Sequence, residues 1–138
     1  MKRREETALE TKSVSRITSL TGEMSQTLLS NGVQVLSERI PGVRSAAIGV
    51  WVRQGSAHET PKVMGVSHLL EHLVFKGTRN RTAREIALAL ESLGGSLDAY
   101  TSRENTSFQA RVLDEHLPKA QEVLADLVLP PLLLEEDL

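Results

Sequence analysis

Gly65-Val66-Ser67-His68-Leu69-Leu70-Glu71-His72-Leu73-Val74-Phe75-Lys76-Gly77-Thr78 is the stretch from which the rest of this chain is best read. At 100° per residue, Val66, Leu69, Leu70, Leu73 and Val74 share one face of a helix. His68, Glu71 and His72 fall on the opposite face with Phe75 beside them, and Gly77-Thr78 ends the helix. Residues four apart on a helix have Cβ atoms about 5–6 Å apart, so two imidazole nitrogens can converge on one ion at roughly 2.0–2.1 Å each. Glu71 shares that face without having to be a ligand, and is free to hold a water instead. Simple solvation of a polar helix face fits the same five residues, and the motif by itself leaves both readings open.

Downstream, Thr82-Ala83-Arg84-Glu85 is a capping box that predicts a second helix, with Ile86, Leu90 and Leu93 as its buried stripe and Gly94-Gly95 as its stop. From Ser96 the period changes to two: Leu97, Ala99 and Thr101 point one way, Asp98, Tyr100 and Ser102 the other. A polar turn at Arg103-Glu104-Asn105 and the alternating Phe108, Ala110 and Val112 complete a β-hairpin. A third helix is predicted from Leu117 to Leu129, with Pro118 in its first turn, Leu117, Ala120, Val123, Leu124 and Leu127 as its stripe, and Pro130-Pro131 after it. Glu135-Glu136-Asp137 reads as the acidic first turn of another helix, and the exposed Leu132 to Leu134 before it predict self-association.

Upstream, Asn31-Gly32 and Pro41-Gly42 are turn signals, and Val33, Val35 and Ile40 bracket a strand. Ser45 to Arg53 is β-prone, and a loop rich in Ser, Pro, Thr and Gly runs from Gly55 to Gly65. Residues 1–26 mix basic with acidic side chains and contain no apolar stretch, so they read as a flexible N-terminal tail and not as a secretory signal or transit peptide. Residues 27–138 then form one domain of α+β class, with helices on one face of a mainly antiparallel sheet.

Bulk properties remove several function classes. A net charge of −2, with 16 basic and 18 acidic residues and few aromatic ones, gives no basis for binding nucleic acid. No apolar run approaches the length of a membrane span. The absence of cysteine excludes disulfides, limits any metal site to His and carboxylate ligands, and fits a cytoplasmic location.

The H-x-x-E-H order reverses the better-known H-E-x-x-H and is the signature of the inverted zincins. Zinc lowers the pKa of a bound water to about 7 and polarises a scissile carbonyl, while a nearby carboxylate takes the proton and passes it to the leaving amine. His68 and His72 are then the metal ligands, Glu71 the general base, and the chemistry amide hydrolysis. Two histidines are an incomplete set, because three protein ligands and an open fourth position are normal. His58 and His116 read as ordinary surface residues.

The segment from Gly65 to His72 followed by Phe75-Lys76-Gly77-Thr78 resembles the active-site helix of the pitrilysin family, peptidase clan M16, in its bacterial processing-peptidase-like branch. The Asn31-Gly32 strand, Pro41-Gly42-Val43-Arg44-Ser45, Arg84-Glu85-Ile86-Ala87, the strand from Leu97 to Thr101, and Ala110-Arg111-Val112-Leu113 follow in the order that family shows. The resemblance implies a zinc metalloendopeptidase hydrolysing extended peptides, with one zinc on His68 and His72 and Glu71 as general base on a zinc-bound water. It implies that Ala99, Tyr100 and Thr101 bind substrate as an edge strand, although Asp98 stands where many relatives have Asn. It also implies a third ligand, a Glu on a helix beyond residue 138, and a partner for this half: the missing C-terminal part or a second subunit. These 138 residues are therefore expected to be a truncated, weakly active or inactive piece. The rival expectation is a non-catalytic, peptide-binding chamber subunit, against which the intact His68, Glu71 and His72 weigh.

Overall fold

The computed structural model describes residues 10–18, 23–129 and 131–134. They fall into two compact units that divide between Val43 and Arg44.

The first unit is an antiparallel meander of β1 (Thr11–Thr18), β2 (Glu23–Leu29) and β3 (Gln34–Arg39), in the order β1-β2-β3. Between β2 and β3 the Leu29 N–H donates to the Val33 carbonyl, Gly32 sits at φ +88°, and the Asn31 side chain accepts from the Val33 N–H. A β-carbon at that φ is disfavoured, so glycine suits the turn. This sheet corrects the reading of residues 1–26 as a tail, because β1 and most of β2 lie in that span and residue 27 is inside a strand. Neither strand alternates apolar with polar residues, and so the period-two signal was absent. Residues 1–9 and 19–22 of the expected tail lie outside the described residues, as does the predicted helix start at 135–137.

The second unit holds β4 (Ser45–Val52), α1 (Val66–Leu73), α2 (Ala83–Glu91), β5 (Ser96–Thr101), β6 (Thr106–Leu113) and α3 (Leu117–Val128). Its sheet is antiparallel in the order β4-β6-β5, so β6 is central and β5 lies at an edge. Phe108, Ala110 and Val112 of β6 join Ile86 and Leu90 of α2 and Ala120, Val123, Leu124 and Leu127 of α3 in one buried cluster. The predicted stripes of the second and third helices thus supply the core, except that Leu93 and Leu117 are only half-buried. The class is α+β as expected, with two three-stranded sheets in place of one.

The predicted apolar face of α1 is covered only in part. Leu73 and Val74 are buried, whereas Leu69 and Leu70 remain 42 % and 41 % exposed. Phe75, predicted to lie beside the polar groups, is drawn onto the core. It lies in a 3₁₀ turn at Val74–Lys76. Its ring lies 6.5 Å from that of Phe108.

Candidate metal centre

α1 brings His68, Glu71 and His72 together: one ligand atom from each lies within 4.8 Å of the others. The two histidine Nε2 atoms are 3.1 Å apart and the rings meet edge to face. Two nitrogens each about 2.0–2.1 Å from a tetrahedral ion are separated by about 3.3 Å, so this spacing needs almost no adjustment to hold a metal. Glu71 is half-buried, and its Oε2 is a buried oxygen with no hydrogen-bond partner among the described residues. A buried carboxylate oxygen without a donor is costly unless a water, ion or substrate completes it. The donor set and the unpartnered oxygen both fit zinc.

The expected substrate strand is β5, and α1 lies against it. Ala99 and Thr101 face inward and Tyr100 is 64 % exposed, which matches the predicted alternation. Thr101 Oγ1 is the second buried oxygen lacking a partner among the described residues. His58 and His116 stay outside the centre; His58 Nδ1 accepts the Gly55 N–H within a 3₁₀ turn at Ser56–His58.

Two carboxylates that the motif does not include hold the ends of this helix. Glu59 accepts the Gly65 N–H at 2.6 Å on Oε2 and the Ser67 N–H at 2.8 Å on Oε1. The Gly65 N–H, then the Ser67 N–H and hydroxyl, hold the Glu59 carboxyl below its ordinary range. Past the other end, Asp126 of α3 accepts from Thr78 Oγ1 at 2.8 Å, from Asn80 Nδ2 at 2.6 Å and from the Arg81 guanidinium, which also pairs with Glu122. Burial pushes the Asp126 carboxyl up, but Thr78, Asn80 and Arg81 together outweigh it and leave the pKa lowered. The loop is tied further by the Leu132 N–H donating to the Gly77 carbonyl. Sequence reasoning passed over both residues. A carboxylate amid the apolar run Val123-Leu124-Ala125-Asp126-Leu127 was the available signal for one, and Glu59 had none.

The family model for Insulinase (Peptidase family M16) matches residues 34–138. The chain belongs to peptidase family M16. Among curated relatives it is 54 % identical over 97 residues to the Uncharacterized zinc protease YmxG of Bacillus subtilis (strain 168), covering 70 % of this chain and 24 % of that protein. It is 45 % identical over 116 residues to the Uncharacterized zinc protease SCO5738 of Streptomyces coelicolor, covering 84 % of this chain and 25 % of that one. Mitochondrial-processing peptidase subunit beta of Saccharomyces cerevisiae is 47 % identical over 100 residues, covering 72 % and 22 % respectively. The chain thus spans about a quarter of the length of these relatives. Among the described residues, no helix is long and apolar enough to cross a membrane.

Proposed function

We propose that this chain carries the metal-binding and general-base part of a zinc metalloendopeptidase that acts on extended peptides. The observation that carries the reading is the convergence of His68, Glu71 and His72 on one helix face, with Glu71 Oε2 buried and unpartnered. His68 and His72 would hold the ion through Nε2. When bound, zinc supplies Lewis acidity to a water and to the scissile carbonyl.

The remaining steps belong to protein groups. Glu71 accepts the proton of the attacking water at its free carboxylate oxygen and returns it to the leaving amine. The Ala99-Tyr100-Thr101 edge of β5 takes the peptide as an added strand, through main-chain hydrogen bonds that hold it extended beside α1. A third ligand would come from outside this chain, as would the rest of the substrate chamber, from a further part of the protein or a second subunit. The names of the relatives, zinc protease and mitochondrial-processing peptidase, support the peptide substrate class.

The test is Glu71→Gln in the full-length protein, read by cleavage of an extended fluorogenic peptide and by metal content. Cleavage should fall by roughly 10²-fold or more with zinc retained, whereas His72→Ala should lose both. Undiminished cleavage by Glu71→Gln would sink the assignment of the base. Zinc without cleavage in the unmodified protein would point to a silent peptide-binding subunit. By themselves, these 138 residues should bind zinc weakly and cleave little.

A further inference from the structure

The metal-binding helix begins without a cap of its own. Its N-cap residue is Gly65, at φ +91°, which has no side chain to offer the first turn. The first amides of a helix need acceptors from elsewhere, and here both oxygens of Glu59 supply them, to Gly65 and Ser67. Ser67, which donates one of these amides, is the buried residue directly before His68.

Glu59 is itself placed by a rigid neighbour. It follows the Ser56–His58 turn, whose Ser56 and Ala57 N–H groups donate to the Ser102 and Arg103 carbonyls in the β5–β6 turn. Gly55 lies so close to that turn that a β-carbon would sit 2.5 Å from the Ser102 carbonyl oxygen and 2.8 Å from the Asn105 nitrogen. A continuous path therefore runs from the end of β5, through backbone hydrogen bonds, to Glu59 and on to the turn carrying His68.

We infer that Glu59 is a positioning residue that sets the metal-binding helix against the edge strand β5, so that His68 is held ready for the ion and in register with a peptide on that edge. The inference rests on the metal reading proposed above and adds to it the device that orients the site. Glu59 touches neither ion nor substrate, and acts through the first turn of α1.

The experiment compares the 138-residue chain with its Glu59→Gln, Glu59→Ala and His72→Ala variants. Each is titrated with cobalt(II) and zinc, followed by amide hydrogen exchange without metal, and melted. Glu59→Gln keeps the size of the side chain but loses its charge and one acceptor. It should weaken metal binding roughly three- to tenfold and speed exchange of the first-turn amides of α1. Exchange in α2 and α3 and the melting temperature should stay where they are. A role confined to general stability would instead shift the melting temperature and leave metal affinity alone.

Wild-type affinity together with wild-type first-turn exchange in Glu59→Gln overturns the inference, whatever Glu59→Ala does to folding. If the unmodified chain takes up no more metal than His72→Ala, the metal reading of this chain fails. Exchange then still decides whether Glu59 anchors the helix: faster first-turn exchange keeps that role, and unchanged exchange removes it.

Discussion

At the scale of single residues, two kinds of requirement govern this chain. His68, Glu71 and His72 are the residues to which the proposed chemistry is assigned, and their spacing is what suggests it. Gly55 is needed for space: its φ of −159° is open to any residue, yet the β5–β6 turn leaves no room for a side chain. Gly55→Ala should destabilise the protein by roughly 1–3 kcal/mol, measured by urea unfolding, because the atoms in the way are backbone and cannot rotate aside. Glu59 serves instead as an acceptor for the start of α1. Nothing in the residues around it marks it, because its partners are amides exposed only once α1 starts at Gly65.

At the scale of elements, α2 is the helix whose local code is complete. Thr82 accepts the Glu85 N–H while Glu85 reaches back to the Thr82 N–H, as the capping box predicts. Thr82→Ala should lower stability by about 1 kcal/mol in chemical denaturation. The loop between α1 and α2 depends instead on α3, through Asp126, which is 7 % exposed. Asp126→Ala leaves the Arg81 guanidinium without its buried partner and should cost about 3 kcal/mol.

The pH dependence of that tie follows from its sign. The Asp126 carboxyl is held below its ordinary 3.8 in the folded protein. Its contribution is therefore full above that value and is lost as pH falls through it towards the folded pKa. Melting temperature should decline below about pH 4, and the decline should be shallower in Asp126→Asn. An equal decline in both proteins would show that other carboxylates govern the acid limb.

At the scale of the whole molecule, the core and the His68, Glu71 and His72 cluster are built from different residues. The core of the second unit is made of apolar side chains from β6, α2 and α3 and from Val74, and none of His68, Glu71 and His72 belongs to it. Leu124→Ala should cost about 2–5 kcal/mol, whereas stripping metal with a chelator should leave the far-ultraviolet circular dichroism unchanged. Loss of the fold on chelation would mean that the ion is structural and not merely held by α1.

The sequence by itself determined what local periodicity and local chemistry encode: the three helices of the second unit, the β5–β6 hairpin, the capping box, and the His68, Glu71 and His72 face. These depend on residues within a turn or two of each other, so a linear pattern carries them. The tertiary structure decided the rest. Strands β3 and β4 were legible as β-prone runs between turn signals, whereas β1 and β2 carry no apolar–polar alternation, and their pairing with β3 rests on ladder hydrogen bonds that leave no periodic trace. The partial exposure of Leu69 and Leu70, the inward turn of Phe75, and the roles of Gly55, Glu59 and Asp126 depend on which distant segments come into contact. Side-chain periodicity states what each element can bury; packing alone settles what it meets.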